Sequence, residues 1–444
     1  MMRNISARYP HKPAQHGFSL LEIMVALALG AILMAGIITL FSNMSGVNRV
    51  QTGLARLQEN GRFALMRMEN DLRMTGAQYC STTSGSGSRN THVPIIPPRA
   101  PMVYAKKLGW GDGAFQSIDA DGAPSDEEAS HPYALSPRWF IQGYSCNASS
   151  CTPEILDNDI PEMGLAADKR VPATDVLTVR YQRGTGWRIP AHSCSVTPAD
   201  PLMDGTVITV SMLEGDDDFD MEEGLALVSD CVTPAIIPIK ETSVWTGIST
   251  LTVDDILPGA TGQLCNGSLA RDARLFDFSR DFVTVSYYLQ FREDESPDAR
   301  VNSTASKRLI PVLMRNENGV PQELVRGVDL LAFNYGVQRV DGSTEFLDAE
   351  AIENAAVSDC TLPPEGMTQE SGCLWRSVRT IEPRLLVNSV DEVMSLDPAS
   401  RSYRFNGTLV TGTDVTNDLP SGLKSGSMSR REFVGYFSVR NGNF

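Results

Sequence analysis

The sequence predicts an α+β protein: a long N-terminal helix, membrane-spanning and then amphipathic, followed by a β-rich head with large loop insertions. Three observations predict it. No charged residue occurs between Glu22 and Arg49. Beyond that run, apolar residues recur at steps of three and four. Short stretches rich in β-branched and aromatic residues then alternate with Gly-, Pro-, Asp- and Ser-rich segments.

The first 17 residues, MMRNISARYPHKPAQHG, are basic and polar, contain two prolines and read as a leader. FSLLEIMVALALGAILMAGIITLF, residues 18–41, follows. As a helix it spans roughly 36 Å, enough for a bilayer core of about 30 Å. Cations ahead of the run place the leader on the cytoplasmic side and the remainder across the membrane. A secretory signal has its small-residue cleavage site after the apolar run, whereas Gly17 precedes it. Cutting at Gly17 leaves the apolar helix on the mature chain. Glu22 is the odd residue, because a carboxylate at the centre of a membrane costs on the order of 2.5–3.5 kcal/mol.

Val47, Val50, Leu54, Leu57, Ala64, Leu65, Met68 and Leu72 continue the helix as an amphipathic stalk, residues 42–78. Gly46, Gly53 and Gly61 weaken a coiled-coil reading. Gly76 is the expected stop, with Cys80 just past it. The head is then 79–444. Strands are expected around Val176–Tyr181, Phe282–Leu289, Ile381–Val387 and Phe433–Val439. Loops are expected at 81–101, 111–131, 145–172, 254–268, 356–372 and 411–430. Cys360 and Cys373 sit in an insertion around 340–375, not in a separate fold.

The formal charge of −16 becomes −19 without residues 1–17, which hold Arg3, Arg8 and Lys12 and no carboxylate. A chain this acidic repels nucleic acid. All eight cysteines (Cys80, Cys146, Cys151, Cys194, Cys231, Cys265, Cys360 and Cys373) follow the apolar run, as a disulfide framework in an oxidising compartment requires. No C-x-x-C occurs, against zinc. Short loops favour Cys146–Cys151 and Cys360–Cys373; Cys194–Cys231 is a looser pairing.

Asp216, Asp218 and Asp220 alternate as in a calcium loop, but Met221 replaces the turn glycine and Leu227 the closing glutamate. In DADGAPSDEE (119–128), Ala123 stands where a third ligand belongs. Solvated acidic loops are the default reading of both. His92, His131 and His192 occupy loop-like settings, and no nucleophile elbow, zincin or phosphate-loop motif occurs. Neither an enzyme nor a cofactor is expected. Tyr436, Phe437 and Phe444 are read as core or edge strand in preference to a binding surface.

Gly17-Phe-Ser-Leu-Leu-Glu22 followed by an apolar run resembles the class III signal of type IV prepilins. The resemblance implies a pilin-like head, cleavage after Gly17 by prepilin peptidase, and methylation of the Phe18 amine. It implies that Glu22 pairs with the N-terminal amine of a neighbouring subunit. Many major pilins carry proline where this chain has Thr39. LQENGRFALMRMENDLRMTGAQYC (57–80), TDVLTVRYQRG (174–184), GLALVSDC (224–231), QELVRGVDLLAFNYGVQ (322–338) and FVGYFSVRNGN (433–443) resemble the PilW family of minor pilins in their order along the chain. That resemblance implies a minor-pilin complex at the filament tip that primes or caps assembly. Its expected partners are other minor pilins, the major pilin, the inner-membrane assembly platform and, in several systems, a large adhesin. The expected location is a single-pass inner-membrane protein with a periplasmic head, then the pilus. The alternatives are a type II secretion pseudopilin and a free-standing membrane-anchored adhesin or binding protein. J-type pseudopilins are shorter, and K-type ones typically lack the Glu retained here as Glu22.

Overall fold

The computed structural model describes residues 19–79, 101–105, 117–118, 124–125, 132–155, 159–189, 194–196, 206–211, 224–229, 234–239, 241–245, 248–253, 273–294, 308–360, 372–390, 402–411 and 428–440. The chain divides into two compact units, Met1–Gly53 and Leu54–Phe444.

In the first unit the described chain is one continuous helix, the beginning of α1 (Leu20–Met74), opened by a hydrogen bond from the Ile23 N–H to the Ser19 carbonyl at 3.1 Å. Its large apolar side chains are exposed, Leu20 at 76% and Phe41 at 75%. At Thr39 the hydroxyl donates to the carbonyls of Gly36 (2.8 Å) and Ala35 (3.1 Å). Such back-bonding lets a hydroxyl residue sit inside an apolar helix with its polar group satisfied.

The second unit begins with the rest of α1, and its two principal sheets are antiparallel. The six-stranded sheet contains β1 (Ile141–Cys146), β2 (Cys151–Thr152), β3 (Val176–Gln182), β4 (Phe282–Glu293), β5 (Leu309–Glu317) and β6 (Val320–Arg326), in the order β6-β5-β4-β3-β1-β2. The five-stranded sheet contains β7 (Val328–Gln338), β8 (Thr344–Leu347), β9 (Val378–Asn388), β10 (Arg430–Val434) and β11 (Phe437–Ser438). Its order is β8-β7-β9-β10, with β11 also on β9. A further six-stranded sheet runs through Tyr133–Ala134, Met102–Val103, Ala235–Ile239, Gly224–Ser229, Arg274–Asp277 and Trp187–Arg188. A four-stranded sheet joins Glu241–Trp245, Ile248–Val253, Thr206–Ser211 and Cys194–Val196. Two short hairpins, Ser117–Ile118 with Pro124–Ser125 and Ser402–Phe405 with Thr408–Thr411, complete the described strands.

The predicted strands near 176, 282 and 381 are β3, β4 and β9. The one expected over Phe433–Val439 is divided into β10 and β11, and Pro383 of β9 explains the break. Gly435 donates to the Pro383 carbonyl at 3.1 Å, but a proline has no N–H to return the second bond of that pair. The segments 111–131 and 145–172, expected as loops, contain the short strands at 117, 124 and 151.

One large core joins both principal sheets to α1 through Leu57, Ala64, Met68 and Leu72, all fully buried. The stripe differs from the expected one. Val47 is 56% exposed and Leu54 36% exposed. Gly61, read as weakening a coiled-coil seam, lies on the buried face. A Cβ there would stand 2.5 Å from the ring of Phe433 on β10, so only glycine lets this strand reach the helix backbone. The helix stops as expected: Gly76 adopts φ 67° and its N–H bonds the Arg180 carbonyl of β3 at 2.9 Å.

The insertion around 340–375 packs into the same core. Within it, α3 (Ala349–Glu353) follows β8; α2 (Phe278–Asp281) lies outside it, just before β4. Asp348 caps α3 by accepting the Ala351 N–H at 2.8 Å. Glu353 accepts from Arg138 (2.5 Å), Gln142 (3.0 Å) and the Trp375 indole (2.8 Å). Disulfides join Cys360 to Cys373 and Cys146 to Cys151, both as short-loop pairings. Cys80, Cys231 and Cys265, Asp216, Asp218 and Asp220, His92 and His192 lie outside the described residues, and of Cys194 only the backbone is described.

Candidate assembly site

Gly17 and Phe18 lie outside the described residues. Glu22 is in the first turn of α1, where the helix dipole favours a negative charge. Among the described residues α1 is the one helix long and apolar enough to cross a membrane, and its most apolar stretch is unburied. This surface needs a non-aqueous neighbour, either lipid or other helices.

The lower part of α1 has the opposite problem and a different solution. Asp71, one turn from the C-terminus, is 4% exposed. A carboxylate there opposes the helix dipole, so local helix physics does not explain it. The tertiary partners do. Arg315 of β5, 2% exposed, donates from Nε to Asp71 Oδ2 at 2.7 Å and from Nη2 to Oδ1 at 3.1 Å. The Tyr181 hydroxyl of β3 donates to Oδ1 at 2.8 Å, and the Tyr287 hydroxyl of β4 donates to Oδ2. Arg315 Nη1 reaches Glu317 at 2.5 Å, whose other oxygen takes Arg183 at 2.9 Å. Three neighbouring strands of one sheet thus close on a single carboxylate of the helix.

Burial by itself pushes the Asp71 carboxyl up. The hydrogen bonds from Arg315 and Tyr287, the guanidinium charge and the Tyr181 hydroxyl outweigh it and hold the group below the ordinary carboxylate range. Burial, then the Asp71 charge and hydrogen bond, push both tyrosines well above theirs. Burial opposes the Arg315 charge, but Asp71 and Glu317 keep the guanidinium ionised. Every member is held in one charge state, which suits a rigid joint and not proton transfer. Sequence reading missed this joint. The available signals were a carboxylate in the last turn of a helix and an arginine within the apolar run LIPVLMRNE.

Of the aromatic residues expected in core or edge strand, Phe437 is 7% exposed, Tyr436 is 60% exposed and forms an edge-to-face pair with Phe346, and Phe444 lies outside the described residues.

The Prokaryotic N-terminal methylation motif matches residues 12–38, and the Type IV Pilus-assembly protein W family matches residues 299–441. Together the two matches support a PilW-like prepilin. The first match contains Gly17, Phe18 and Glu22; the second contains Arg315 and strands β5 to β11. The stretch at 322–338 falls within the PilW match, and 433–443 does so except for its last two residues. Those at 57–80, 174–184 and 224–231 fall outside it. No curated protein and no solved structure matches the chain significantly. This PilW-like region indicates a minor pilin related to type IV pilus assembly, working with other pilus components and with prepilin processing. The signal motif and the apolar helix together suggest membrane anchoring and pilus association.

Proposed function

We propose that the protein is a minor pilin that primes or caps pilus assembly at the filament tip, within a complex of minor pilins. The observation that carries this reading is the class III signal on a long, unburied apolar helix whose lower turns are seated in a PilW-like head. In this reading the 1–17 leader is removed between Gly17 and Phe18, and the Phe18 amine is methylated. The 18–41 segment then enters the helix bundle, residues 42–78 act as stalk, and the 79–444 head stays in the periplasm before assembly. Glu22 meets the amine of an adjacent subunit, which offsets the cost of removing its charge from water and sets axial register. The major pilin, the inner-membrane platform and a large adhesin at the tip are the proposed partners.

Mass spectrometry of the mature N-terminus tests the first step. The expected product begins at a methylated Phe18, and an intact leader overturns the reading. Glu22→Gln is expected to leave cleavage intact while reducing incorporation into pili. A deletion strain is expected to lose surface pili and twitching; loss of exoprotein export with normal piliation would instead indicate a secretion pseudopilin. A free-standing adhesin would lose surface attachment alone.

A further inference from the structure

The two ends of the β1–β2 hairpin are joined by Cys146–Cys151, directly opposite each other in the ladder. Both cysteines are half-buried, and the connecting residues 147–150 are exposed. Behind them sits Arg170, 4% exposed. Its Nη1 points at Cys146 Sγ and its Nη2 at Cys151 Sγ, each at 3.4 Å, while Nε has no partner. The nearby carboxylates are otherwise engaged. Glu162 pairs with Lys169 at 2.8 Å, Asp168 pairs with Arg292, and Asp175 accepts the Cys146 N–H at 3.1 Å. Among the described residues the Arg170 side chain has no carboxylate partner.

A buried guanidinium is ordinarily paired with an anion, because an unpaired one loses hydration without compensation. Disulfide sulfur is a weak, neutral acceptor. A thiolate is a full anion at the same position. Reduction therefore supplies the counter-charge that the oxidised site lacks, and the fork of Arg170 serves either sulfur.

We propose that Cys146–Cys151 is a thiol–disulfide exchange site, with Arg170 as the positioning residue that stabilises the leaving thiolate, and that its partner is a protein dithiol with an accessible thiolate. The partner thiolate attacks one sulfur and forms a mixed disulfide. The electron pair of the broken S–S bond goes to the other cysteine, which leaves as a thiolate against Arg170. The second thiol of the partner, deprotonated, displaces the mixed disulfide and departs as an oxidised disulfide, leaving both cysteines reduced by two electrons in total.

The test uses the full-length protein in detergent, equilibrated in dithiothreitol redox buffers, with Cys146 and Cys151 occupancy read by alkylation and mass spectrometry. The enclosed Cys360–Cys373 bridge serves as the internal reference. Alkylation rate against pH gives the pKa of the released thiol. The expected wild-type thiol titrates below about 7.5, against about 8.5 for an ordinary cysteine. Arg170→Met is expected to raise that pKa by at least about one unit and to make the bridge about tenfold harder to reduce, ~30 mV for a two-electron couple. Arg170→Lys keeps the charge and is expected to fall between them. An ordinary wild-type thiol pKa overturns the proposal whatever the variants do, and so does an Arg170→Met protein that reduces like wild type. If Arg170→Met does not fold, the wild-type titration and the Arg170→Lys comparison decide.

Discussion

Replacing Asp71 with asparagine removes one charge from a site where three side chains, Arg315, Tyr181 and Tyr287, converge on it. Asp71 and Arg315 are 4% and 2% exposed, and their two contacts of 2.7 and 3.1 Å form a bidentate pair. After the change, Arg315 keeps Glu317 on Nη1 but loses the acceptor for Nε and Nη2. Breaking a buried pair from one side costs about 3–5 kcal/mol, because the remaining charge stays desolvated. Asparagine still offers one carbonyl oxygen to one tyrosine, so the lower end applies, ~3 kcal/mol, with a fall in Tm of about 3–5 °C. The assay is thermal unfolding of the full chain in detergent, followed by near-ultraviolet circular dichroism. Asp71→Asn, Arg315→Gln and the double variant form a cycle whose coupling should exceed about 1 kcal/mol. Acid gives an independent check. The folded pKa of Asp71 is depressed, so its contribution is present above the unfolded value of about 3.9 and is lost as pH falls through the folded one. Acidification below about pH 4 should therefore cost the wild type more than Asp71→Asn. A Tm change under about 1 °C together with zero coupling would refute the seating role.

Gly61→Ala gains helix propensity of about 1 kcal/mol at an exposed site, but here the new Cβ meets the Phe433 ring, so a net loss of about 1–3 kcal/mol is expected in denaturant unfolding. Phe433→Leu should recover part of that loss, and a stabilised Gly61→Ala protein would contradict the packing. Burial pushes the Asp175 carboxyl up to about 7, against backbone hydrogen bonds from Phe333 and Cys146. With the folded pKa raised, the native state holds a proton that the unfolded chain releases, so stability should fall as pH rises from about 4 to 7. Asp175→Asn should flatten melting temperature across that window, and an unchanged slope would exclude Asp175 as its source.

The long helix, its glycine stop and four strands were legible because each follows from a local pattern: an unbroken apolar run, a φ > 0 residue, or β-branched alternation. The division of the C-terminal strand was not, because it depends on Pro383 in a different strand. Gly61 was legible only as a weak helix former, since its use depends on a ring that arrives from Phe433. The same holds for Asp71. Its sequence neighbours explain only why it is unfavourable, and its compensation comes from a residue 244 positions away. The signal motif at Gly17 and Glu22 was readable because it is a contiguous sequence pattern. Sites built by tertiary convergence carry no such linear constraint.

The contact between Gly61 and Phe433 also sets an order of events. The helix that holds Gly61 is made first, while the strand that covers it is among the last of the described elements to be synthesised. Until β10 arrives, the helix face at Gly61 has no partner there and the core around Leu57, Ala64 and Met68 is open on that side. Closure of the core over Gly61 is therefore a long-range contact that waits for β10, the kind of contact that slows folding. A chain arrested before β10 would hold the apolar helix without the strand that covers Gly61.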